Sequence, residues 1–248
     1  MIKLGIKTWA HKEGYDHLKK IIDHIDVIEV MPLPDNDFYK SFKDFGIPVR
    51  IHAPHEALGA NPADKDSYER TMHCFSKARK AADFLDSPLI VAHPGRYSDE
   101  RTKKISFENA MHFFERFNDK RVVLENLIHL DGYVKSLCSN AGEMARLVDK
   151  FGYNICFDFA HAVLTEDSRE FGYKTVLQEF MQLNPKYFHI CGGSMSDYKL
   201  EHSNVFTGDF DIPFFMSLIP NESELVLETP HNIETQIREL DYLREFIL

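Results

Sequence analysis

Six apolar, strand-like runs in this chain end on a side chain able to bind a metal ion. They read VRIHAP with His52, LIVAHPG with His93, VVLENL with Glu125, ICFDFAH with Asp158 and His161, YFHICGG with His189, and LVLETP with Glu228. One such ending carries little information. The same ending on six strands, in a chain that alternates strands with helices, calls for a fold in which those ends converge. A closed parallel barrel does this, because its C-terminal strand ends all open onto one face.

The alternation itself is regular. Strand-like runs lie near residues 2–8, 27–32, 48–53, 87–93, 121–127, 153–159, 186–191 and 224–229. Helix-like stretches follow each, including DNDFYKSFKDF after the second strand, DKDSYERTMHCFSKARKAADFL after the third and YKTVLQEFMQL after the sixth. Strands alternating with helices imply a parallel sheet. Eight such repeats without a topological break imply closure, so the expectation is an α/β chain folded as one (β/α)8 barrel domain over residues 1–248. The strands are rich in Val, Ile, Leu and Phe, as burial of both faces requires. Asp64 or Asp66 is placed to cap the long third helix. The longest irregular stretch, roughly 191–211, follows the seventh strand and so belongs to the same face as the six endings.

Composition narrows the setting. The opening MIKLGIKTW lacks the apolar core and cleavage site of a secretion signal, and no apolar run approaches the ~20 residues that span a bilayer. The four cysteines, Cys74, Cys138, Cys156 and Cys191, form no CxxC pair and read as reduced thiols. The expectation is a cytoplasmic protein with no membrane partner. A formal charge of −10 argues against broad nucleic-acid binding.

Mixed imidazole and carboxylate donors suit borderline to hard divalent cations. A carboxylate closing an apolar strand costs several kcal/mol, or shifts its pKa, unless something neutralises it. Basic partners near that end are scarce: Lys7 and Arg50 within strands, and Arg96 after His93. Convergence on bound cations resolves the deficit. His17, His24, His73 and His112 fall on helices and read as surface or core residues; His11, His129 and His231 follow strands one, five and eight.

With IHAPH, VAHPG, VLEN, CFDFAHA, FHICGG and LVLETP in this order, the chain resembles the xylose isomerase-like TIM-barrel superfamily, also described as AP endonuclease family 2. That group includes endonuclease IV and many sugar isomerases and epimerases. The resemblance to the sugar enzymes implies a mononuclear site on Glu125, Asp158, His189 and Glu228. The resemblance to endonuclease IV implies a zinc cluster. In it His52 and His93 with a bridging Glu125 hold one ion; Glu125, Asp158, His189 and Glu228 a second; His161 and His202 a third. That family places an Asp two residues before the last histidine. Leu200 stands there, leaving Glu201 or Asp197 as the substitute. The stretch after His52 carries His55-Glu56-Ala57 rather than the family's aromatic wedge for damaged DNA, and the stretch after His189 carries Gly192-Gly193-Ser194 rather than the Arg of many epimerases.

The function implied is a divalent-metal-dependent phosphoester hydrolase with two or three Zn2+ ions, or Mn2+, Mg2+ or Co2+ in their place. Glu125, Asp158 and Glu228 are its catalytic carboxylates. Lys7, Arg50 and Arg96 are its substrate contacts. The substrate is a small phosphoester, or damaged DNA despite the charge. The alternative is a metal-dependent isomerase or epimerase of a keto or aldo sugar or sugar phosphate.

Overall fold

The structure is a computed structural model that describes residues 1–247. Eight strands close into an all-parallel barrel in sequence order: β1 Lys3–Trp9, β2 Val27–Met31, β3 Val49–His52, β4 Ile90–Ala92, β5 Val122–Glu125, β6 Asn154–Asp158, β7 Tyr187–Ile190 and β8 Glu224–Leu227. The seam joins the first strand to the last, with Lys3 opposite Glu224 and Ile6 opposite Leu227. Gly5 permits the close approach of β1 to β2, since a Cβ there would stand 2.5 Å from the Val27 carbonyl oxygen.

The helices are α1 Lys12–Ile21, α2 Tyr68–Phe84, α3 Lys103–Phe117, α4 Ala141–Phe151, α5 Phe159–Leu164, α6 Glu166–Phe171, α7 Tyr173–Met181, α8 Ile212–Leu218 and α9 Ile233–Arg244. Two connections differ from the sequence expectation. After β2 the chain forms a 3-10 helix over Phe38–Phe45. Its apolar residues Tyr39, Phe42 and Phe45 recur every third position, which suits three residues per turn. After β6 three helices replace one, because Asp158 caps α5 directly: its Oδ1 accepts from the His161 backbone N–H at 2.8 Å. Asp64 caps a short 3-10 turn, Lys65–Ser67, that leads into α2.

Apolar side chains between barrel and helices form the main core, with Phe75, Phe113, Phe114, Phe117, Phe157, Phe180, Phe188 and Phe215 fully enclosed. A second, smaller cluster of Val91, Val123, Cys156, Tyr187 and Val226 plugs the barrel interior. Side chains two residues apart in a strand share a face. Each plug residue therefore lies beneath a polar one: Val91 beneath His93, Val123 beneath Glu125, Cys156 beneath Asp158, Tyr187 beneath His189, and Val226 beneath Glu228. The plug is the floor on which the polar layer sits. All four cysteines are buried and free. Among the described residues no helix is long and apolar enough to cross a membrane.

Candidate metal centre

The six strand endings meet at the C-terminal mouth around Glu125, which is 1% exposed and closes β5. Its two oxygens face opposite ways. Oε2 lies 3.1 Å from His52 Nε2 and 3.2 Å from His93 Nε2. Oε1 lies 3.4 Å from both His189 Nδ1 and His161 Nδ1. Glu228 adds a contact of 2.8 Å to His189 Nδ1.

Each imidazole has one nitrogen committed elsewhere, which fixes the one it can offer. His52 Nδ1 is 2.8 Å from the Ala53 carbonyl, so Nε2 faces Glu125. His161 Nδ1 is 2.8 Å from the Asn126 carbonyl, so Nε2 is directed to Glu201 at 3.2 Å. Asn126 also stitches β5 to β6: its side chain accepts from the Asp158 N–H at 2.7 Å and donates to the Asp158 carbonyl at 2.9 Å. That clamp holds Glu125 and Asp158 side by side.

Several buried oxygens of this layer have no hydrogen-bond partner: Asp158 Oδ2, Glu29 Oε1, Glu56 Oε1 and Glu201 Oε1. The Glu201 oxygen is close to His161 but outside hydrogen-bonding geometry. Orphaned buried acceptors are costly, and a cation satisfies them. Three-donor groups already stand within 4.8 Å of one another: His52, His93 and Glu125; His161, Glu201 and His202; and Glu29, His189 and Glu228. The donor set fits divalent metal.

Electrostatics agree. Burial opposes a charge on His93, but Glu56 and Glu125 outweigh it and lift its pKa to about 9. Burial also opposes charge on His161, where Asp158 and Glu201 prevail and lift it to about 10. The carboxylates draw protons onto imidazoles, the chain's own substitute for a missing positive charge. Burial would raise Glu125, yet His189 and His93 bring it well below the ordinary carboxylate value. Asp158 is raised, chiefly by burial.

The remaining expectations divide. Lys7 reaches the mouth, but its Nζ is held by Glu228 at 2.5 Å with Glu29 at 3.9 Å. Arg96 lines the mouth cavity of about 570 Å³, with His55, His93, His161, Glu201, His202 and Glu228. Arg50 is a correction. It lies two residues before His52, roughly 7 Å deeper by strand rise, and forks onto Glu224 at the opposite end of the barrel through Nε (2.6 Å) and Nη2 (2.5 Å). His202, 46% exposed, stands 3.5 Å from Glu228 Oε2. Of the two candidates to replace the Leu200 position, Glu201 joins His161 and His202, whereas Asp197 caps a 3-10 turn by accepting from the Lys199 N–H.

Sequence reasoning missed Glu29 and Glu56. Glu29 is wholly buried inside the apolar run of β2 and contacts His189 Nε2 at 2.9 Å. Glu56 contacts His93 Nδ1 at 2.9 Å. A carboxylate inside the apolar run VIEVM is the signal that could have found Glu29, since a buried carboxylate without a partner is costly.

The model of the family described as xylose isomerase-like TIM barrel matches residues 8–246. An uncharacterised protein of Methanocaldococcus jannaschii is 22% identical over 218 residues, covering 82% of this chain and 71% of that protein. Among solved structures, a D-tagatose 3-epimerase-like protein superposes with a TM-score of 0.77 at 18% identity, covering 99% of this chain and 97% of that one. Endonuclease IV from Thermus thermophilus superposes at 0.70 with 17% identity, covering 99% and 98%. At these identities the two likenesses establish the fold.

Proposed function

This chain belongs to the xylose isomerase-like TIM-barrel family, and from that premise we propose that it is a divalent-metal-dependent phosphoester hydrolase with at least two ions at the barrel mouth. The observation that carries the reading is the division of Glu125: Oε2 faces the His52 and His93 pair, and Oε1 faces the His189 side. A single ion held by Glu125, Asp158, His189 and Glu228 leaves His52 and His93 without a task. A carboxylate bridging two ions uses both pairs.

His52, His93 and Glu125 would hold one ion; Glu125, Asp158, His189 and Glu228 a second; and His161, Glu201 and His202 a third. The chemistry such ions supply when bound is Lewis-acid activation of water and of phosphoester oxygens. The chain's own groups set the rest. Lys7 Nζ holds the Glu228 carboxylate from the β1 side. Burial, followed by the charges of His93 and His52, pushes the His55 pKa down, so this cavity-lining imidazole is neutral at physiological pH. Its Nδ1 accepts from the Ala57 N–H at 3.4 Å, which leaves Nε2 as the nitrogen that carries its proton. Arg96 on the rim is placed to grip a phosphate as a planar fork.

The test is metal content and turnover together. Protein purified without chelator should carry two or more ions, and His93→Ala should lose about one equivalent. The wild type should hydrolyse a bis(aryl) phosphodiester. One ion per chain, unchanged in His93→Ala, together with metal-dependent interconversion of keto sugars, would replace this reading with a sugar isomerase.

A further inference from the structure

Two carboxylates outside the ligand set stand behind two of its histidines. Glu29 Oε2 lies 2.9 Å from His189 Nε2 and also accepts from the Tyr187 hydroxyl at 2.5 Å. The other nitrogen of the same ring, Nδ1, points to Glu228 and Glu125 at 2.8 and 3.4 Å. Glu56 Oε2 lies 2.9 Å from His93 Nδ1, whose Nε2 points to Glu125 at 3.2 Å. His52 and His161, by contrast, are oriented by backbone carbonyls.

From this arrangement we infer that Glu29 and Glu56 are separate positioning residues, Glu29 for the ion on His189 and Glu56 for the ion on His93. The inference rests on the multi-ion reading above. A carboxylate accepting the N–H of a ligand imidazole fixes its tautomer and ring angle and makes the opposite nitrogen a stronger donor. A backbone carbonyl fixes the ring with less negative charge. The two carboxylates differ in setting. Glu29 sits inside β2, its oxygen shared with Tyr187, at 0% exposure. Glu56 begins a 3-10 turn, Glu56–Leu58, in the β3 loop. The His189 ion is thus backed by a rigid strand and the His93 ion by a loop.

The experiment is a chelator competition titration with Zn2+ on the whole chain and on Glu29→Gln and Glu56→Gln, repeated in a His93→Ala background that should lose the His93 ion and keep the His189 ion. Each Gln variant keeps shape and removes charge. Glu29→Gln should weaken Zn2+ about 10- to 100-fold in both backgrounds. Glu56→Gln should weaken one equivalent to a similar degree in the wild-type background and have no effect in His93→Ala. Far-UV circular dichroism on the metal-free proteins checks folding; Glu56, on a loop, keeps its half of the test available if Glu29→Gln does not fold. Equal effects of Glu56→Gln in both backgrounds, or no effect of either variant with two ions still bound, overturn the inference and leave the multi-ion reading standing. A wild type that binds no second ion overturns both.

Discussion

At the scale of the residue, the centre is an arrangement of negative charge awaiting positive charge. Glu125 is the pivot, with each oxygen facing a separate imidazole pair. Glu125→Gln keeps its volume and removes the charge that, in the proposed two-ion centre, balances the cations. We expect the variant to fold, to retain fewer ions and to lose more activity than the ~100-fold that outer partners cost. Full turnover with full metal content would make Glu125 merely structural. The imidazoles give a pH dependence with a definite sign. His93 and His161 have pKa values raised to about 9 and about 10, burial being outweighed by Glu56 and Glu125 in the first and by Asp158 and Glu201 in the second. At neutral pH both are protonated without metal, and a ligand imidazole must give up that proton. Zn2+ affinity should therefore rise with pH, approaching about tenfold per unit for each proton displaced, and level off above those pKa values. Chelator competition at pH 6, 7, 8 and 9 measures the slope; a flat response would remove these imidazoles from the ligand set.

At the scale of the element, the strand endings were legible because a period of two leaves the last inward residue of each strand at the mouth. His52, Glu125, Asp158 and His189 follow that rule within their strands, and His93 and Glu228 continue it one residue beyond theirs. Depth along the strand was not legible, and it explains both errors. Arg50 shares a face with His52 but lies one layer lower, where its guanidinium meets the Glu224 carboxylate instead of the mouth. Glu29 lies inside its strand, two residues before Met31, and reaches the site only because β2 is set against Lys7 and β7 delivers His189 over it. The loops were the least legible: nothing in the pattern around D-x-x-H announces that Asp158 starts a helix. The Arg50 correction has its own consequence. Breaking a buried ion pair by removing one partner costs about 3–5 kcal/mol. Arg50→Met should therefore destabilise by less than that in denaturant melts, since the pair is only part-buried and Glu224 keeps Lys3 at 3.9 Å, while turnover per folded molecule stays unchanged. Adding Glu224→Leu should restore much of the loss. A rise in KM alone would return Arg50 to substrate binding.

At the scale of the whole molecule, ion loading should read out as heat resistance. A ligand at a hundred times its Kd adds about 2.7 kcal/mol, which for a chain of this size is roughly 5–10 °C in Tm. Chelator should lower Tm by that amount and added Zn2+ should restore it. The charge of −10 bears on partners. Duplex affinity falls with salt by about 0.9 log units per log unit for each phosphate neutralised. With Lys7 held by Glu228, Arg96 remains as the basic group on the mouth cavity, so the slope on undamaged DNA should be no steeper than about 2. A steep slope on abasic duplex, with cleavage, would identify DNA as the substrate. The seam between β1 and β8 adds a constraint of timing. Lys7 comes from the first strand and Glu228 from just beyond the last, and they meet across that seam. A ribosome adds about 5–20 residues per second, so Lys7 waits for its counter-charge while the chain lengthens by the 221 positions that separate the two. Until Glu228 emerges, the nascent chain presents a half-built ring of histidines to the metals of its surroundings. The ring of proposed ligands is thereby complete only when the last strand closes against the first.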